Sequence, residues 1–210
     1  MRAALTKEHP MTEIDAKTVM ALRKKTGAPM MDCKSALQEA AGDMDKAVDV
    51  LRKKGLKAAD SRGDREATEG QVFSYVHHNG KLGVLVEIGC ETDFVARNEQ
   101  FQAFGHDCCL QVAAMRPRYL SRDQVEAEAV EREQRVLAEQ VAEQMKGRPA
   151  DVVQKAVDGR MQKFFAEQCL LEQEWVKEHG KTVTEVVKEL AGKIGENIQI
   201  RRFAMLELGA

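Results

Sequence analysis

Thr92-Asp93-Phe94-Val95 joins an alternating apolar run to a helical pattern, so a hydroxyl, a carboxylate and a large ring meet at one strand-to-helix junction. Such a ring is either buried or offered to a partner. On position alone, Asp93 reads as the N-cap of the following helix and Phe94 as a core residue. Arg23, Met30, Met31 and Lys34 make a second cluster, in which two soft apolar chains lie beside two cations. On residue type alone the two methionines read as core. Motifs for covalent chemistry fare poorly. Gly180-Lys181-Thr182 matches the end of a phosphate-binding loop, but Trp175 occupies the position that requires glycine. There is no G-x-S-x-G and no H-E-x-x-H. Cys33, Cys90, Cys108, Cys109 and Cys169 form no C-x-x-C pair and no zinc-ligand spacing with histidine, so they read as small core residues and no metal or cofactor is expected.

The elements that must position these clusters follow from periodicity. The chain has 210 residues, 43% hydrophobic and 31% charged, which suits a folded globular protein. Aromatics make up only 5%, favouring helices over an all-β sandwich. A formal net charge of -2 gives no general affinity for nucleic acid. No apolar run approaches the roughly 20 residues of a membrane span. The opening residues lack the apolar stretch of a signal peptide, so a cytoplasmic location is expected. Residues 1–11 read as a disordered extension, with Met11 as an alternative start.

Residues 12–58 read as three short helices. Asp15 caps the first, which turns Val19 and Leu22 inward and breaks at Thr26-Gly27-Ala28-Pro29. The second runs from about Met31 to Ala41 with Ala36, Leu37 and Ala40 on one face; the third carries Ala47, Val48 and Leu51 and stops at Gly55. This bundle resembles a ubiquitin-associated-type domain. Residues 59–69 hold no apolar side chain larger than Ala and read as a solvated linker.

Residues 70–210 read as an α+β core. Gln71 to His77 and Leu82 to Ile88 alternate around Asn79-Gly80, which predicts a hairpin with a type I′ turn. A helix after Phe94 carries Phe101, Phe104, Cys108, Val112 and Met115 and closes at Arg116-Pro117. His77 and His78 are strand-end residues beside the turn. Two charged amphipathic helices over about 121–168, turning at Gly147-Arg148-Pro149, make an antiparallel helical hairpin, with Trp175 expected at its base. Thr182 and Glu185 form a capping box for the next helix. The alternating segment from Asn197 to Glu207 supplies a third antiparallel strand.

Three segments carry a family resemblance. Glu87-Ile88-Gly89-Cys90-Glu91-Thr92-Asp93-Phe94-Val95-Ala96-Arg97 resembles the signature of translation elongation factor Ts. Leu22 through Leu37 resembles the family's N-terminal motif, and Lys193 through Arg202 its closing helix-to-strand segment. Pro29 stands where the family usually has Gly, and Gly89 where it usually has Asn. The resemblance spans Met11 to the C-terminus.

It implies a guanine nucleotide exchange factor that binds elongation factor Tu. Thr92, Asp93, Phe94 and Val95 would enter between helices of that GTPase near its magnesium and nucleotide: Phe94 as an apolar wedge, Asp93 on polar groups in the cleft, Thr92 and Val95 holding the loop. Arg23, Met30, Met31 and Lys34 would add a hold on the nucleotide-binding domain. Long family members carry the sheet unit twice, and this chain carries it once. The resemblance is therefore to the short form, which is expected to pair two chains, as an open sheet edge also invites. The competing reading is a ubiquitin-associated-like adaptor fused to an oligomerising domain without exchange activity, which leaves Thr92 to Val95 unexplained. A nucleic-acid binder is the third.

Overall fold

The structure, a computed structural model, describes residues 14–209, so the expectations for the N-terminal extension and Met11 lie outside the described residues. Helices α1 (Ala16–Thr26), α2 (Met30–Glu39) and α3 (Met44–Asp60) come first. Asp15 accepts the Lys17 N–H at the start of α1, and Gly27, at φ 72°, ends it. Leu22, Cys33, Ala36, Leu37 and Ala47 are fully buried where the three helices meet.

Helix α3 does not stop at Gly55; it continues to Asp60. A tertiary contact overrides the local signal: Gly55 lies against Gly192 of helix α8 (Val183–Ile194). Residues 61–68 then run as a strap along the core. Its Gly63 and Arg65 carbonyls accept from Asn197, and its Ala67 carbonyl accepts from Arg201. Gly89 leaves room for this path, since a Cβ there would come within 2.8 Å of the Arg201 side chain and 2.9 Å of the Ala67 carbonyl oxygen.

Strands β1 (Glu69–Val76), β2 (Leu82–Cys90) and β3 (Gln199–Glu207) form an antiparallel sheet in the order β1-β2-β3. The fold is α+β as expected. The β1–β2 turn is not type I′. Only Gly80 takes a positive φ, 69°, and Asn79 instead accepts the Lys81 N–H through its side chain. Pairing of Val76 with Gly83 leaves a loop too long for a two-residue turn.

Phe73, Val84, Val86, Ile88 and Ile200 turn inward to meet helix α5 (Glu99–Met115) and α8. From α5, Phe101, Phe104, Cys108 and Val112 are buried as predicted, whereas Met115, at the helix end, is exposed. Trp175 is buried and stacks on Phe104 of α5 with centroids 5.8 Å apart, in the cluster that also holds Leu120 and Leu170. The hairpin is formed by α6 (Ala127–Gln144) and α7 (Ala150–Gln168), with Val141, Val157 and Met161 buried along its seam. Thr182 and Glu185 form the predicted capping box. Among the described residues no helix is long and apolar enough to cross a membrane.

Candidate functional site

A four-residue helix, α4 (Asp93–Ala96), follows β2. Its N-cap is Thr92 rather than Asp93: Thr92 has extended backbone (φ -130°, ψ 155°), and its hydroxyl oxygen accepts the Val95 N–H at 3.4 Å. Asp93 is one position too late to cap. As the first helical residue it is favoured by the helix dipole, and its carboxylate pairs with Arg97 at 2.8 Å. Ala96 is buried and Val95 packs on the core. Phe94 points the other way and is 79% exposed, so the core assignment from residue type does not hold.

The ring stands beside an open groove of about 570 Å³ whose lining includes Val95, Asn98, Lys193 and Ile194. A four-residue helix has little stability of its own. Here it is braced from outside: Thr92 is bonded to Glu196, and the Cys90 thiol donates to the Thr92 carbonyl at 3.1 Å. Sequence reasoning missed Glu196. The signal was present in the closing segment, but nothing local couples residues 104 apart.

The second cluster is also at the surface. Arg23 lies in the last turn of α1, while Met30, Met31 and Lys34 lie in the first turns of α2; all four are exposed, Met31 to 71%. The methionines are thus not core, because Cys33, Ala36 and Leu37 already fill the inward face of α2. Met20, one turn before Arg23 and 62% exposed, extends this apolar surface and was not anticipated. The two clusters sit on different parts of the molecule. Lys193 and Ile194 line both the groove beside Phe94 and the crevice between the three helices and the core, which Thr26, Ala28 and Pro29 also line. Among the described residues no group of three or more His, Cys, Asp or Glu side chains is placed to hold a metal ion.

Both clusters expose apolar and charged side chains together. Comparison with known proteins is decisive about kinship. The sequence model of the elongation factor Ts family matches residues 44–192. Elongation factor Ts of Caldanaerobacter subterraneus subsp. tengcongensis is 50% identical over 196 residues, 93% of this chain and 97% of that one. The Anaeromyxobacter dehalogenans protein of the same name is 53% identical over 199 residues, 95% and 90% of the two chains. That of Fervidobacterium nodosum is 46% identical over 197 residues, 94% and 99%. This chain belongs to the elongation factor Ts family, and so to the translation elongation factors.

Proposed function

We propose that this chain is a guanine nucleotide exchange factor for elongation factor Tu, acting in the cytoplasm and making no covalent bond itself. It binds the GDP complex, dislodges Mg²⁺ and GDP, and leaves a site that GTP refills. The observation that carries this reading is Phe94: an aromatic ring held out into solvent on a turn whose neighbouring residues are anchored.

The mechanism follows from how such a GTPase holds GDP. Backbone N–H groups cradle the phosphates and Mg²⁺ neutralises their charge. Mg²⁺ demands near-ideal octahedral geometry, so a small displacement of the helices around it weakens its coordination. A rigid apolar wedge at Phe94 supplies that displacement, and Asp93 engages polar groups beside it. The surface of Arg23, Met30, Met31 and Lys34 supplies further affinity. By linkage, the factor weakens nucleotide binding as much as nucleotide weakens its own, so it sets no direction.

A second copy of the chain completes the assembly in this reading. Val72, Val76, Leu85 and Leu206 are at least half exposed on the face of the sheet turned away from the helices, an apolar surface suited to a matching sheet.

Stopped-flow release of fluorescent GDP from elongation factor Tu tests the function. The wild-type chain is expected to accelerate release strongly. Phe94→Ala at saturating concentration is expected to bind but to lose most of that acceleration. Release by the saturating variant as fast as by wild type would overturn the wedge. No acceleration by the folded wild type would overturn the exchange reading and favour the adaptor.

A further inference from the structure

Two carboxylates exchange backbone partners across the core. Glu196, between α8 and β3, accepts the N–H groups of Glu91 and Thr92 on its Oε2 at 3.1 and 3.0 Å. Its Oε1 accepts the Thr92 hydroxyl at 2.6 Å. In return, Glu91 Oε1 accepts the N–H of Asn197 at 2.6 Å, and its Oε2 lies 3.4 Å from the Arg65 guanidinium. Asn197 is only 4% exposed, and its side-chain amide donates to the carbonyls of Gly63 at 3.2 Å and Arg65 at 2.7 Å. The turn bearing Phe94 and the strap leading from the three-helix bundle therefore close on one two-residue hinge, Glu196-Asn197.

The hydroxyl chemistry makes Glu196 more than a tether. A threonine hydroxyl has one proton and two lone pairs. Donating that proton to Glu196 turns a lone pair toward the Val95 N–H, which is the cap α4 needs. Hydrogen bonds to an ionised acceptor are roughly twice as strong as neutral ones. Three of them converge on one side chain here.

We propose that Glu196 is a positioning residue for nucleotide release: its carboxylate fixes where the Phe94 turn stands, and through Glu91 and Asn197 it ties that turn to the strap. The inference rests on the exchange reading. Glu196 bonds Thr92 and Glu91, and it works by stopping the wedge from yielding when it meets the partner. A misplacement of about 1 Å at a working geometry costs on the order of a hundredfold in rate.

The test uses the full chain and the GDP complex of elongation factor Tu. For Glu196→Ala, the maximal rate of GDP release is expected to fall roughly ten- to a hundredfold, with a far smaller change in the half-saturating concentration. Glu196→Gln is expected to recover most of the rate, since its oxygen can take both N–H groups and its amide can donate to the Thr92 hydroxyl. A full maximal rate in Glu196→Ala, or a loss confined to the half-saturating concentration, would overturn the proposal. If Glu196→Ala does not fold, Thr92→Val decides: it removes the hydroxyl's bond to Glu196 together with its cap on the Val95 N–H, and an unchanged maximal rate overturns the proposal. If the wild-type chain itself gives no acceleration, the exchange reading has failed. The clasp is then judged by amide hydrogen exchange, in which Glu196→Ala is expected to expose the Glu91 and Thr92 N–H groups. Unchanged protection there would remove the clasp as well.

Discussion

Gly192 of α8 lies against Gly55 of α3 so closely that a Cβ on Gly192 would come within 3.0 Å of the Gly55 Cα and carbonyl oxygen. The reverse does not hold, since a Cβ on Gly55 would meet nothing within 4 Å. Arg52 with Glu189 at 2.9 Å and Lys188 with Asp60 at 2.5 Å bridge the same two helices. The two glycines are therefore predicted to respond with opposite signs. Gly192→Ala forces the helices apart and costs about 1–3 kcal/mol. Gly55→Ala improves the helix and adds about 0.5–1 kcal/mol. Urea denaturation of both variants checks this, and equal signs would contradict the crossing.

That pair also shows where the sequence was legible and where it was not. Gly55 read as a helix end because glycine is a common terminator, and only the approach of Gly192, far along the chain, makes it a packing residue instead. Asn79-Gly80 failed similarly: the dipeptide favours a type I′ turn, but the strand register fixes a longer loop. Signals complete within one turn of chain held, among them the Asp15 cap and the Thr182–Glu185 box. Burial from residue type held for most of α5, where the stripe is wide, and misplaced Phe94, Met30 and Met31. Those three break the rule that large apolar residues go inside. The family resemblance, rather than residue type, marked them.

The exposed methionines give a second prediction. Met31 is 71% exposed, so Met31→Ala should leave stability within about 0.5 kcal/mol of wild type. If this surface holds elongation factor Tu, the half-saturating concentration in GDP release should rise severalfold while the maximal rate is kept. A fall in maximal rate with unchanged half-saturation would assign this surface to the release step instead.

Leu85 occupies the middle of the outer sheet face, paired with Ser74 on one side and Ala204 on the other. It is 50% exposed, so a lysine there needs no burial in a single chain, whereas two sheets packed face to face would bury that charge without a partner. Leu85→Lys is expected to shift a wild-type dimer to monomer in sedimentation equilibrium while the circular dichroism stays unchanged. A wild-type chain that sediments as a monomer at micromolar concentration would refute pairing, and a dimeric Leu85→Lys would place the interface elsewhere.

The cysteines yield a prediction about pH. All five are buried and unpaired. Burial pushes the Cys90 thiol from its ordinary 9.0 to about 11, with the Glu196 carboxylate as the next cause. Burial likewise takes Cys109 to about 11, and it raises Cys108 and Cys169. The thiolate is the nucleophile, so alkylation by iodoacetamide at pH 8 should be slow in the folded protein and complete once urea unfolds it. Below pH 9 these thiols hold their protons in both states and add no pH dependence. Between pH 9 and about 11 the unfolded chain releases protons that the folded chain keeps. The folded state then binds more protons, and stability falls as pH rises. The folded chain keeps the Cys90 proton that is donated to the Thr92 carbonyl across this window, so the brace on the Phe94 turn is lost only as pH passes about 11. Urea midpoints measured from pH 8 to 11 should decline across this window, and Cys90→Ala should flatten part of the decline. Rapid labelling of Cys90 in the folded protein at pH 8 would show that the thiol is neither shielded nor raised.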